Sequence, residues 1–131
     1  MPLRSRPRPR RLSRRRAEAI QKELDKYGED IQLTVEKLRT SVGKAGLRTL
    51  RSASRSTFGG TGKYASGWTM TEEGDRVYAK AVLHNTHPGL PHLLEYGHAN
   101  RGGGRTAGRT HIKPVEEEMI REFEKGIEDA I

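Results

Sequence analysis

The sequence predicts an α+β domain: a long N-terminal amphipathic helix, a small antiparallel sheet with a β-hairpin, and a C-terminal helix, packed in two layers. Three observations predict it. Apolar residues step by three and four from Ile20 to Ala45, the period of one helix face. Between Arg76 and Asn85, Val77, Ala79, Ala81 and Leu83 alternate with Tyr78, Lys80, Val82 and His84, the period of a half-buried strand. The stretch Pro114–Ile131 opens with proline and three glutamates and returns to helical spacing.

Residues 1–16 contain Arg4, Arg6, Arg8, Arg10, Arg11, Arg14, Arg15 and Arg16, three prolines and no acid. The chain has 25 Lys and Arg; without those eight arginines, the remaining 17 bases match the 17 acids, so the net charge of +8 belongs to this arm. Like charges with little apolar surface cannot offset the entropy of ordering, which predicts a disordered arm in isolation. Arginines at this density suit phosphate pairing, with binding that weakens steeply in salt. Residues 17–131 are then a single domain.

One amphipathic helix is predicted from Ala17 to about Ser52, through Ile20, Leu24, Tyr27, Ile31, Val35, Leu38, Val42 and Ala45. Gly43 and Gly46 are expected to end or bend it near Val42. Its polar face mixes acids and bases, so its apolar stripe is expected on the domain's own sheet and on neighbouring subunits, not on a membrane. Ser52–Lys63 reads as a loop. Its Gly-Lys ending is no phosphate loop, because Thr57 and Tyr64 stand where glycine and Ser/Thr are required. Tyr64–Thr71 and Arg76–Asn85 are predicted strands joined at Glu72–Asp75. Trp68, the single tryptophan, is expected in the core under the long helix. Part of Thr106–Lys113 is expected to add a strand beside the hairpin. The terminal helix has an apolar face of Val115, Met119, Ile120, Phe123 and Ile127. It carries seven acids against two bases, a pole opposite in sign to the arm.

Composition bounds the rest. An apolar fraction of 32% is low against about 45–50% in ordinary globular domains. That predicts a thin core with further burial against other subunits. Cysteine is absent, removing disulfides and thiolate metal sites. No apolar run is long enough to span a bilayer, which predicts a soluble protein without a membrane partner.

The stretch His84–Pro114 concentrates the unusual residues: all five histidines, the Arg101–Arg109 run RGGGRTAGR, and a single acid, Glu95. A helical turn is expected at His92–Tyr96, closed by Gly97. Glu95 is expected as a buried carboxylate paired to Arg101 or Arg105. His92, Glu95 and His98 do not form a zinc-protease pattern, and no serine or aspartate stands in a nucleophile elbow. No metal, cofactor or catalytic residue is therefore assigned, and the chain is expected not to be an enzyme. The segment reads instead as a contact surface.

The pattern His87-Pro88-Gly89-Leu90-x-His92-Leu93-Leu94-Glu95-Tyr96-Gly97-His98, then a Gly/Arg-rich run, His111-Ile112-x-Pro114 and an acidic helix, resembles the neck and tail-completion proteins of lambdoid-type long-tailed bacteriophages. These are minor tail components that act in head–tail joining. The likeness runs from about Thr61 to the C-terminus, and the long helix before it fits. The arginine arm is outside the pattern, and Thr110 stands where the pattern has proline. The resemblance implies a structural virion protein, made in the host cytoplasm and located at the neck. It would form a closed ring of six or twelve copies between the head-closure or connector protein and the tail terminator or tail-tube proteins. It further implies a subunit interface through His87, Leu90, His92, Leu94, Glu95, Tyr96, His98, Arg101, Arg105, Arg109, His111 and Pro114, with the arm near packaged double-stranded DNA. The competing expectation, from charge alone, is a free nucleic-acid-binding protein using the arm and the RGGGR run. That run lacks the interleaved aromatics that stack bases.

Overall fold

The computed structural model describes residues 13–75 and 79–131. The element order is α1 (Arg14–Phe58), α2 (Lys63–Ser66), β1 (Trp68–Glu73), β2 (Lys80–Asn85), α3 (Leu90–Tyr96), β3 (Gly97–Ala99), β4 (Arg105–Ala107) and α4 (Lys113–Ala130). The α+β class is as the sequence predicts. The chain divides into two units, Met1–Leu33 and Thr34–Ile131. Arg4, Arg6, Arg8, Arg10 and Arg11, and the predicted strand start at Arg76–Tyr78, lie outside the described residues. Among the described residues, no helix is long and apolar enough to cross a membrane.

In the first unit the described chain is helix from Arg14 onward, so Arg14, Arg15 and Arg16 form the first turn of α1 and not an irregular arm. Arg14 pairs with Glu18 at 3.3 Å and Gln21 bonds Asp25 at 2.9 Å, both one turn apart. Ile20, Leu24 and Tyr27 are exposed along one face.

In the second unit, α1 passes through both glycines without ending and continues to Phe58, so the expected end or bend near Val42 is not an end, and the predicted loop from Ser52 is corrected to helix as far as Phe58. Its buried face is Val42, Gly43, Gly46, Leu50 and Ser54. A Cβ at Gly43 would strike the Met70 sulfur, and one at Gly46 the Met119 side chain. The two glycines are therefore sites of close approach, and that packing offsets the roughly 1 kcal/mol each costs a helix.

The hairpin and α4 share this face. Antiparallel pairing of β1 and β2 runs from Trp68↔Asn85 to Glu73↔Lys80. Along α1, Ser54 meets Trp68, Gly43 meets Met70, and Thr40 bonds Glu72, so β1 descends as α1 ascends. Leu50 clusters with Val115, Gly46 abuts Met119 and Leu38 abuts Gly126, so α4 is also antiparallel to α1. Gly62 enters α2 with φ 76°, so Tyr64–Ser66 is a helical turn and the first strand begins only at Trp68, later than predicted. Arg105–Ala107 does not join the hairpin; it pairs with β3 in a separate sheet, because the chain doubles back through the turn at Asn100–Gly104.

Leu50, Trp68 and Val115 are the centre of the core, ringed by Leu47, Ala53, Tyr64, Leu83, Ile112 and Met119. The Trp68 indole N–H donates to the buried Ser54 hydroxyl at 2.9 Å, and the Arg51 guanidinium donates to the Trp68 carbonyl at 2.7 Å. Leu50→Ala is expected to cost about 2–5 kcal/mol, and Ser54→Ala, which orphans the indole donor, about 1–3 kcal/mol. Urea unfolding followed by Trp68 fluorescence measures both.

Candidate functional site

The structure builds the His84–Pro114 segment around Glu95. Pro91 sits in the first turn of α3, where its missing N–H is harmless. The helix then carries Glu95 inward. Its Oε1 accepts from the backbone N–H of His111 at 2.7 Å and of Ile112 at 2.9 Å, and Oε2 accepts from that of Lys113 at 3.1 Å. These are amides at the start of α4, whose N-cap residue, Ile112, supplies no side-chain cap. A carboxylate from a distant helix thus satisfies orphan donors and faces the positive end of the α4 dipole. Glu95 is buried, as predicted, but its partners are backbone amides and His111, not Arg101 or Arg105.

Next to it lies the His111 imidazole, fully buried. Its Nδ1 is 2.9 Å from Glu95 Oε1 and 2.8 Å from the Arg109 carbonyl, and its Nε2 is 2.6 Å from the Tyr64 hydroxyl. Two acceptors at Nδ1 assign the ring hydrogen there, so in the neutral ring Nε2 accepts from the Tyr64 O–H. Phe58 and Tyr64 close on the ring edge-to-face at 4.7 and 5.6 Å. Burial, with the Glu95 charge second, pushes the Tyr64 hydroxyl up to about 12. Burial would also raise the Glu95 carboxyl, but the three backbone donors and His111 outweigh it and hold it below the ordinary 4.5.

The glycine-rich run forms a hairpin. Gly97, at φ 84° and ψ 178°, occupies a region only glycine enters readily. A Cβ at Gly97 would meet the Thr106 and Gly108 backbone, and one at Gly108 would meet the Glu95 and Tyr96 backbone. The two strands cross here at backbone contact. β3 and β4 pair as Gly97↔Ala107, His98↔Thr106 and Ala99↔Arg105, and the Asn100 amide donates to the Gly104 carbonyl at the tip. Two of the predicted contact arginines serve the chain's own helix ends. Arg105 donates to the Tyr96 carbonyl at the end of α3, and Arg109 to the Thr57 carbonyl near the end of α1.

Of the predicted interface residues, Glu95 and His111 are therefore engaged within the chain's own fold. His87, His92, Tyr96, Arg101, Arg105, Arg109 and Pro114 are exposed, and Leu90, Leu94 and His98 are half-buried. His92 and Tyr96 meet on one exposed face of α3, ring centres 5.0 Å apart and planes tilted by 50°. His92, Glu95 and His98 do not converge, and among the described residues no group of three or more His, Cys, Asp or Glu is placed to hold a metal.

Sequence reasoning missed a groove between β2 and α4. It encloses about 630 Å³ over a floor of Leu50 and Trp68, walled by Ala81, Leu83, Pro88, Pro91, Met119 and Ile120. A shallower extension of about 370 Å³ continues past Ala79 and Phe123 to Glu124. The available signal was the width of the α4 apolar face: Met119 and Ile120 are adjacent in sequence, so they cannot both turn fully to one neighbour. Protein-family models, curated proteins and solved structures were compared with the chain, and none matches.

Because Glu95 titrates below its unfolded value, the stability it contributes is complete above about pH 4.5 and is lost as pH falls through the lower folded value. Glu95→Gln should cost about 2–3 kcal/mol at pH 7 and flatten that acid limb. Urea midpoints between about pH 7 and pH 3 test both.

Proposed function

We propose that this chain is a structural subunit of a tailed-phage neck, forming a ring that joins the head connector to the tail. The likeness of His87–His98 and His111–Pro114 to neck and tail-completion proteins supports the reading. The observation that carries it is the imbalance between core and surface. Among the described residues the buried apolar set is Val42, Leu50, Ala65, Trp68 and Val115, while Ile20, Leu24, Tyr27, Leu33, Leu93, Tyr96, Ile120 and Ile131 are exposed. A subunit with that balance gains most of its remaining apolar burial by association.

In this reading each copy docks on the next in a closed ring of six or twelve. One face meets the head-closure or connector protein and the other the tail terminator or tail tube, with the N-terminal arginines near the DNA path. The rigid His84–Pro114 segment presents His92, Tyr96 and Arg101 as a preformed contact face, so little ordering entropy opposes docking. The work is geometric and needs no catalytic group or cofactor.

The charge of residues 1–16 favours a second reading, a free nucleic-acid-binding protein. Particle lysates that lack the chain separate the two. Full heads and finished tails should accumulate unjoined, and adding the purified protein should join them in electron micrographs. A chain without residues 1–12 loses five arginines and should still join heads to tails. The slope of its DNA affinity against salt should fall by about 4–5 in log–log terms if each arginine pairs with one phosphate. Loss of joining with the arm favours the second reading.

A further inference from the structure

Residues 37–71 hold seven bases and no acid, although the chain beyond residue 16 is neutral as a whole. The fold occupies two of these bases: Arg39 lies 3.9 Å from Glu72, and the Arg51 guanidinium donates to the Trp68 carbonyl at 2.7 Å. Lys37, Lys44, Arg48 and Arg55 stand exposed on the second unit's part of α1. Their steps of seven, four and seven residues return to one helix face, opposite the buried Val42, Gly46 and Leu50. At 1.5 Å per residue the row is about 27 Å long, with the exposed Ser41 and Ser52 in its gaps. Among the described residues, no carboxylate pairs with Lys44, Arg48 or Arg55. Acids flank the row without interrupting it. Glu36 and Glu72 line a hollow of about 600 Å³ on one side, where Lys37, Arg39, Lys44 and Arg48 outnumber them. Glu118 and Glu122 border Ala45 and Thr49 on the other side, about a quarter to a third of a turn round the helix.

The fold then lengthens the row. Residues 96–113 are a second acid-free stretch, with four bases. From it, Arg109 donates to the Thr57 carbonyl at 3.0 Å, which sets an exposed guanidinium beside the Arg55 end of α1. We propose that this row, Lys37 to Arg55 continued by Arg109, binds the phosphate backbone of double-stranded DNA without regard to sequence. Duplex DNA carries one charge per about 1.7 Å of axis, so a row of this length meets phosphates wherever it lands. Lysine, arginine and serine side chains all donate to phosphate oxygens. The make-up of the face disfavours other polyanions. A membrane surface asks for apolar side chains on the binding helix, and a single strand for aromatic side chains on which bases stack. The gaps in this row hold serines. The site owes nothing to residues 1–16 or to closure of a ring, so it goes beyond both readings above.

Three full-length samples test it: the wild-type chain, the row variant K44Q/R48Q/R55Q, and a control of equal charge, K80Q/R121Q/K125Q. All six positions are exposed, and circular dichroism verifies that the variants stay folded. Each is titrated onto a labelled duplex, followed by fluorescence anisotropy at several salt concentrations. The log–log salt slope of the row variant should fall by about 3, one for each lost phosphate contact, on two duplexes of unrelated sequence. The control should keep the wild-type slope. Equal falls in both variants mean that binding follows net charge, and an unchanged slope in the row variant means that the row does not touch DNA; either overturns the proposal. Tighter binding to anionic phospholipid vesicles than to the duplex, lost in the row variant, assigns the face to a membrane and overturns it as well. So does a row variant that keeps its DNA slope but loses a salt-sensitive self-association in sedimentation, which marks the acids of a second copy as the partner. A wild-type chain without measurable duplex affinity sinks this surface and the nucleic-acid-binding reading together, and leaves head–tail joining to its own assay.

Discussion

The second unit depends on one carboxylate. Glu95 reaches from the short helix α3 to the first turn of α4 and accepts three backbone N–H bonds there. A charge buried this deeply is tolerated only when it is paired and fully bonded, and here four donors surround it if the His111 ring N–H is counted. The consequence is directional. With its first turn held against α3, α4 runs back along α1 so that Val115 reaches Leu50 and Trp68, Met119 settles over Gly46, and Gly126 meets Leu38. The groove beside β2 lies along α4 as it is held in that line, over a floor of Leu50 and Trp68.

Around this carboxylate the residue types of His84–Pro114 acquire separate duties. Gly97 and Gly108 let two strands cross at backbone contact, which sets the distance between α3 and the chain entering α4. His111 links Glu95 to Tyr64, which lies 47 positions before His111 in the chain, and seals against Phe58. Arg105 and Arg109 close helix ends. What remains on the surface is a smaller set, with His92, Tyr96 and Arg101 on a framework already rigid. A glycine-rich, arginine-rich run that resembles a flexible polyanion-binding tract is here a hairpin whose glycines answer to backbone geometry.

Much of this was legible in advance for local reasons. Periodicity in Ile20–Ala45 and Pro114–Ile131 identified both long helices, and alternation through Leu83 identified the second strand. Gly97 as the end of α3 and Trp68 as a core residue followed from backbone freedom and size. The misreadings share a cause. Gly43 and Gly46 were weighed by helix propensity, about 1 kcal/mol each, when the deciding factor was which side chains approach them. Glu95 was assigned an arginine because arginines are near it in sequence, whereas its partners lie 16 to 18 residues on and are main-chain amides. Backbone donors leave no compositional trace, so no inspection of residue types could have found them.

The sequence by itself determined the class of fold, the segregation of positive charge at one end and acid at the other, and the burial of Glu95, because propensity, period and charge act within a few residues. Only the tertiary structure decided what Glu95 caps, which strand β4 pairs with, and that β2 and α4 stand apart over an apolar floor. Those outcomes depend on contacts between segments distant in the chain, where the energy of a position is set by the neighbour it meets and not by the residue alone.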